Sequence, residues 1–279
     1  MDACTRRADL SAITLPSGIK PAEAPNAGLW LDKFIFQQSS EPTSESRLDR
    51  NRRITPKARL IEDVTAIPIP SPYIEFFERW KKLIESICPN AGRGIASVQG
   101  RMAIGLGDET VLETSVKLHR TYGVPYIPGS SLKGLAASYA RNRIGGDWTQ
   151  DKQAYQIVFG KMEDAGYITF HDALYLPTSA NGHPLRPDVI TVHHPDYYAN
   201  KKTKDAAGNE SLSPPADWDD PIPLPFLSAT GDYLIALSTI PEGESWLKPV
   251  WRILKLALEH EGVGAKTSSG YGRMLLRNA

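Results

Sequence analysis

The sequence predicts an α+β fold, with helices packed on one face of an antiparallel sheet. Three observations carry this. Residues 95–104 alternate: Val98, Met102 and Ile104 point one way, and Ser97, Gln99 and Arg101 the other. Two segments, residues 73–87 and 246–258, repeat apolar residues at helical spacing. From residue 95 onward the order is strand, helix, strand, strand or loop, strand, helix, glycine-rich loop, strand. That order fits a ferredoxin-like (RRM-like) arrangement with insertions.

Each element has its own local reason. Residues 1–70 read as an irregular N-terminal extension, because proline, serine and charge dominate from residue 37 to 72. Residues 66–72 alternate with prolines that hold their predecessors extended. Ser71 can cap the following helix and Pro72 suits its first position. Its apolar face is Tyr73, Phe76, Phe77, Trp80, Leu83, Ile84 and Ile87. After the 95–104 strand, Gly105 and Gly107 turn the chain. The second helix follows Pro128-Gly129, with Ser130 or Ser131 as cap and Leu132, Leu135, Ala136 and Tyr139 as core face. Short strands are expected at 167–171 and 188–192, and a polar loop or insertion at 200–225. A strand at 233–240, a helix at 246–258 and a terminal strand at 273–276 complete the 71–279 domain.

The chain has 279 residues and a formal net charge of +0, with 41% hydrophobic residues. That is enough to build a core. Cys4 and Cys88 offer neither a disulfide framework nor a metal-site spacing. No stretch approaches the roughly 18 apolar residues of a membrane span. The charged start of the chain lacks the apolar region of a secretory signal, so a cytoplasmic place is expected. Neutral charge counts against a general nucleic-acid binder, but the charges are segregated. Arg47, Arg50, Arg52, Arg53, Lys57 and Arg59 are opposed only by Asp49, and Lys266, Arg273 and Arg277 form a second basic run.

Four segments carry potential chemistry. The first, residues 123–134, delivers a helix N-terminus with Ser130, Ser131 and Lys133 on its first turn. Unpaired N–H groups, two hydroxyls and an ammonium make an anion site suited to a phosphodiester; the plainer reading is a serine cap beside a solvated lysine. The second, residues 262–273, combines four glycines with Lys266 and Arg273, so consecutive N–H groups can form an anion nest; the plainer reading is a flexible turn. Ala265 stands where a P-loop needs glycine, which excludes nucleotide hydrolysis by that motif. The third, His193-His194-Pro195-Asp196 with His171-Asp172, lacks a second ligand pair at metal spacing and reads as hydrogen-bonded loop residues. The fourth is an enzyme lookalike. Ser130-Ser131-Leu132-Lys133, Ser179-Ala180-Asn181 and Lys266-Thr267-Ser268 approximate the S-x-x-K, S-x-N and K-T-G elements of serine acyl-transferases, though the last lacks its glycine.

Taken together, the two glycine-bearing segments resemble the RAMP superfamily of CRISPR proteins. Gly105-Leu106-Gly107, Glu113-Thr114-Ser115, residues 122–134, Phe170-His171-Asp172-Ala173 and His194-Pro195-Asp196-Tyr197-Tyr198 narrow the resemblance to the sixth-subunit family of type III-B (Cmr) effector complexes. The resemblance covers about residues 95–277. It implies a ferredoxin-like RAMP domain that caps the RAMP filament near the 3′ end of the guide RNA. The expected partners are guide (crRNA), with target RNA as a further candidate, and the other Cmr/RAMP subunits. It implies no catalysis, metal or cofactor. Arg101, His119, Ser130, Ser131, Lys133, Arg141, Gly264, Lys266, Thr267, Ser268, Ser269, Gly270, Tyr271 and Arg273 are the expected RNA contacts. Tyr271 or His119 would stack on a base. A second reading makes the chain mainly an assembly adaptor, docking neighbours through its N-terminal arm and aromatic helix.

Overall fold

A computed structural model of the chain describes residues 26–33, 56–87, 92–107, 116–194, 197, 200, 202–204, 210–212, 214–217, 219 and 221–278. Its main helices are α1 (Ala27–Lys33), α2 (Pro56–Thr65), α3 (Ser71–Ile87), α4 (Gly129–Tyr139), α5 (Gln153–Phe159) and α6 (Glu244–His260). The strands are β1 (Gly92–Val98), β2 (Tyr126–Ile127), β3 (Ile168–Phe170), β4 (Ala173–Tyr175), β5 (Leu185–Val192), β6 (Lys202–Lys204), β7 (Glu210–Leu212), β8 (Ile222–Ala229), β9 (Asp232–Thr239) and β10 (Met274–Asn278).

The α+β expectation holds. The central antiparallel sheet runs β10-β1-β9-β4-β2, with β3 also on β9. β9 sits at its middle, and its residues 233–238 are buried. Consecutive burial means both faces of that strand are covered, which its unbroken apolar run already encodes. The main core joins this sheet to α3, α4, α5 and α6 through residues such as Tyr73, Leu132, Ala136, Tyr233, Ile235, Val250 and Leu254. α4 presents Leu132, Ala136 and Tyr139 to it, and α6 presents Val250, Leu254 and Leu258. α3 is tied to the sheet by the buried Tyr73 hydroxyl, which donates to the Tyr175 carbonyl at 2.7 Å. Leu83, expected on the buried face of α3, is 51% exposed.

Three expectations are corrected. Residues 1–70 are not irregular throughout: α1 and α2 lie within their described part. Both are amphipathic and bury Trp30, Leu31, Leu60, Ile61 and Val64 against Leu185 and Leu227. Proline and charge in the surrounding sequence masked these short apolar stripes. The strand expected over 95–104 stops at Val98. Gly100 takes φ 87°, and the chain re-pairs one step on, through bridges from Met102 to Ala229 and from Ala103 to Ala265. The region 200–225 is not only loop. It holds the β6–β7 hairpin and the start of β8, which pairs along its full length with β5 as a separate two-stranded sheet. Pro223 and Pro225 suit such a ribbon, where a missing N–H costs little.

Candidate nucleic-acid interface

The start of α4 is built by a turn of extended backbone. Pro128 (φ −56°, ψ 136°) brings the chain out of β2 and acts as N-cap residue, without a side-chain cap. Gly129 N–H donates to Asp172 Oδ1 at 2.7 Å. The expectation that Ser130 or Ser131 caps the helix is therefore corrected: a carboxylate from the β3–β4 turn does so. Close packing selects glycine here, since a Cβ at Gly129 would lie 2.0 Å from the Phe170 carbonyl oxygen. Ser131 N–H and Leu132 N–H both turn back to the Pro128 carbonyl, at 2.9 and 3.2 Å. The open anion site is thereby reduced to the exposed Ser130, the half-buried Ser131 and their surroundings.

The glycine-rich loop is anchored at its base. Val263 N–H donates to Gly272 O (2.9 Å), Gly272 N–H to Arg101 O (2.8 Å) and Ala265 N–H to Ala103 O (2.7 Å). Gly272 has φ 71°, and a Cβ there would lie 1.9 Å from Val263 O. A flexible turn does not describe this base. At the tip, Lys266 is left-handed (φ 56°) and a 3₁₀ turn spans Thr267–Ser269. The N–H groups of Ser269, Gly270 and Tyr271 are spent on Lys266 and Thr267 carbonyls, at 3.0, 3.0 and 3.3 Å. The anion nest is narrowed accordingly. Lys266 itself is exposed.

Two hollows flank the loop. One, of about 390 Å³, lies between α4 and the loop and is lined by Ser131, Leu135, Ser138, Glu261, Gly262, Val263, Gly264 and Thr267. It brings Ser131 together with Gly264 and Thr267. The other, of about 450 Å³, is lined by Gln99, Gly100, Arg101, Asp188, Ser269, Gly270 and Tyr271. It gathers Arg101, Ser269, Gly270 and Tyr271. Ser268 is exposed at the tip between them.

Several expected contacts sit elsewhere or are already engaged. Lys133 lies about 200° around the helix axis from Ser131, on a different flank of α4. Arg141 is exposed in the π-helical turn Ala140–Ile144, roughly 15 Å of helix rise beyond Ser131. Its Nε donates to Asn142 Oδ1 at 3.2 Å. Arg273 donates from Nη1 to the Glu259 carbonyl at 3.0 Å, satisfying a carbonyl in the last turn of α6. Tyr271 is held by its hydroxyl, which donates to Asp188 Oδ2 at 2.8 Å, and its ring lies 6.1 Å from Phe226. Burial and the Asp188 carboxylate push its pKa up to about 12, against the pull of Arg101. His119 belongs to an aromatic cluster with Phe76 (5.3 Å) and Tyr122 (4.8 Å) and lines neither hollow. Burial lowers its pKa, and Asp172 opposes that shift.

The histidine cluster and the enzyme lookalike find local partners. His194 Nδ1 meets Asp219 Oδ2 at 2.9 Å, and this bond lowers the Asp219 pKa. His171 Nε2 meets Ser238 Oγ at 2.7 Å. Pro195, Asp196 and Tyr198 lie outside the described residues. The Ser179 hydroxyl donates to Asp232 Oδ2 at 3.1 Å and accepts from Asp232 N–H at 2.9 Å, so it is committed to the β9 turn. Sequence reasoning missed Asp172, Asp188, Glu261, Ser138 and Gln99 as residues of this face. Asp172 and Asp188 reach it from other elements, so no local pattern marks them; Ser138, seven residues after Ser131 on α4, and Glu261 and Gln99, next to Gly262 and Arg101, could have been found from helical spacing and adjacency.

The RAMP superfamily model matches residues 96–275, and the chain belongs to that superfamily. Within it, the chain resembles the sixth Cmr subunit of type III-B CRISPR systems. It is 29% identical over 255 residues to the CRISPR system Cmr subunit Cmr6 of Pyrococcus furiosus, covering 73% of this chain and 72% of that protein. It is 25% identical over 200 residues to the Cmr6 subunit of Saccharolobus solfataricus, covering 71% of this chain and 62% of that one. Among solved structures, it shares its fold with a chain of the type III-B Cmr-beta complex bound to cognate target RNA. That match has a TM-score of 0.61 and 20% identity over 86% of this chain and 77% of the other. Among the described residues no helix is long and apolar enough to cross a membrane.

Proposed function

We propose that this chain is a non-catalytic RNA-binding subunit of a type III-B CRISPR effector complex, working in the cytoplasm. It caps the RAMP filament near the 3′ end of the guide RNA, through a ferredoxin-like RAMP domain spanning residues 71–279. Its partners are guide RNA, target RNA and the neighbouring Cmr subunits. One observation carries the RNA reading: Ser131 of α4 and Gly264 and Thr267 of the loop line a single hollow, with Lys266 exposed on the same loop. Hydroxyls, a basic side chain and close backbone suit a sugar-phosphate strand, which such contacts position without reading its sequence. Ser130 is exposed on the first turn of α4, whereas Lys133 on another flank and Arg141 in the following π-helical turn add positive charge away from this hollow. Binding should weaken with salt as counterions are released.

The test is co-purification from the native host. The expected result is short RNAs sharing one 5′ repeat tag, accompanied by other RAMP subunits. Recovery of the chain alone, without RNA, would overturn the reading. The adaptor reading is favoured by the net charge of +0 and by exposed Ile74 and Leu83 on α3. It predicts that Lys266→Ala leaves RNA retention by the complex unchanged.

A further inference from the structure

The hollow between the glycine-rich loop and β5 differs in charge from the one beside α4, whose one charged lining residue, Glu261, is paired with Arg143 Nε at 3.1 Å. It is lined by one cation, Arg101, and one carboxylate, Asp188, with the neutral Gln99, Ser269 and Tyr271. A phosphate placed there would lie against the carboxylate. A neutral group with hydrogen-bond donors and an acceptor next to each other on one edge would meet both charges. Arg101 and Asp188 both line the hollow and form no ion pair within 4.0 Å, so each is open to meet neighbouring groups on one edge of a ligand.

The carboxylate is held in place. Asp188 lies in β5 opposite Phe226 of β8. Its Oδ1 accepts from Val189 N–H at 3.0 Å, and its Oδ2 accepts from the Tyr271 hydroxyl at 2.8 Å. An ionised carboxylate has about four lone-pair sites, so each oxygen keeps one for a ligand. Two fixed, adjacent acceptors ask for two adjacent donors. Guanine has them on its Watson–Crick edge, N1–H and the N2 amino group, with the O6 acceptor alongside. Cytosine and adenine offer one exocyclic amino group beside an acceptor, and uracil offers a single N–H between two carbonyls. Unstacked bases of single-stranded RNA are recognised along these edges.

We propose that this hollow takes an unstacked guanine of single-stranded RNA, with Asp188 accepting from N1–H and the N2 amino group and Arg101 donating to O6. The proposal rests on the RNA-binding reading above and adds a base preference to it. Arg101 then acts as a base contact in addition to supplying charge.

The test is fluorescence anisotropy of the full chain with single-stranded RNAs: an all-uridine strand, and the same strand with one guanine, inosine, adenine or cytosine. The guanine strand should bind about tenfold tighter than the all-uridine strand, the scale of one bidentate base contact. Inosine, which lacks the N2 amino group, should lose most of that gain. In Asp188→Asn an amide donor faces the guanine donors, and the guanine-to-uridine ratio should fall below about twofold. The inosine comparison uses the unaltered chain, so it stands whether or not the variant folds. Equal affinity for guanine and uridine strands overturns the proposal, as does a preference for cytosine or a guanine preference that survives inosine. Salt-dependent binding of all strands alike removes the base subsite and leaves the RNA-binding reading intact. Binding to none of them overturns the proposal, and the co-purification then decides the wider reading by itself.

Discussion

At the start of α4 the first backbone N–H points at Asp172. At the tip of the glycine-rich loop, Lys266 stands in solvent on a left-handed residue. Both segments pair glycine with serine and lysine, and on local chemistry both offer anion sites. The fold separates them. One helix N-terminus has been used to fasten α4 to the β3–β4 turn, while the loop is fastened at its base and presents its tip. A glycine or an N–H group thus marks a close approach in either case, and only the partner across the gap tells whether that approach is structural or left for a ligand.

The strongest way to break this comparison is at the base of the loop. Gly272→Ala would drive a Cβ to 1.9 Å from the Val263 carbonyl at φ 71°, so main chain must move. A loss of about 3 kcal/mol or more is expected in urea unfolding. Gly270→Ala has the same sign of φ, at 91°, but open space around the added carbon. It should cost only about 1–2 kcal/mol. Equal costs at the two positions would show that the base is not anchored as described.

Asp172→Ala tests the other segment. It strands Gly129 N–H in a packed turn and should cost about 1–2 kcal/mol in the same assay, with Asp172→Asn costing less. It should also lower the pKa values of His119 and His171 further, since Asp172 is the group that raises both. NMR titration of the two imidazoles reads this directly.

Those histidines give a pH dependence. Burial holds both below the ordinary value of about 6.5, so on acidification the unfolded chain takes up protons first. Their neutral forms support the fold above about pH 6.5, and that support is lost as pH falls below it. Melting temperature should decline from pH 7 toward 5. His171→Asn should flatten the decline.

The smallest stability effect is expected at Lys266→Ala, within about 0.5 kcal/mol of the parent chain. Its effect belongs to RNA, where the slope of log affinity against log salt should shrink by roughly one. Arg273→Ala, by contrast, removes the bond to the Glu259 carbonyl and should cost about 1 kcal/mol. Replacing both residues together would mix the two causes, so single variants sharpen the contrast.

The α+β class, the order of the larger elements and the glycine-rich loop were legible because they rest on local periodicity and glycine placement. The buried faces of α4 and α6 follow from i, i+3, i+4 spacing alone. The division of labour within the site was not legible. Asp172 caps α4 from forty-odd residues away in sequence, and Asp188 holds Tyr271 across the gap between β5 and the loop. Arg273 looked like a free cation but is bent onto a helix end. Periodicity reports which face a residue occupies on its own element; it carries no information on which carboxylate arrives opposite.

α1 and α2 depend on partners that come much later in the chain: their apolar stripes close over Leu185 and Leu227. During synthesis both helices leave the ribosome long before those side chains exist. Until β5 and β8 emerge and pair, Trp30, Leu31, Ile61 and Val64 have only one another and, later, Val116 and Leu118 to pack against. A nascent chain stalled before residue 185 would expose these stripes to chaperones, and their burial would be among the last steps of folding.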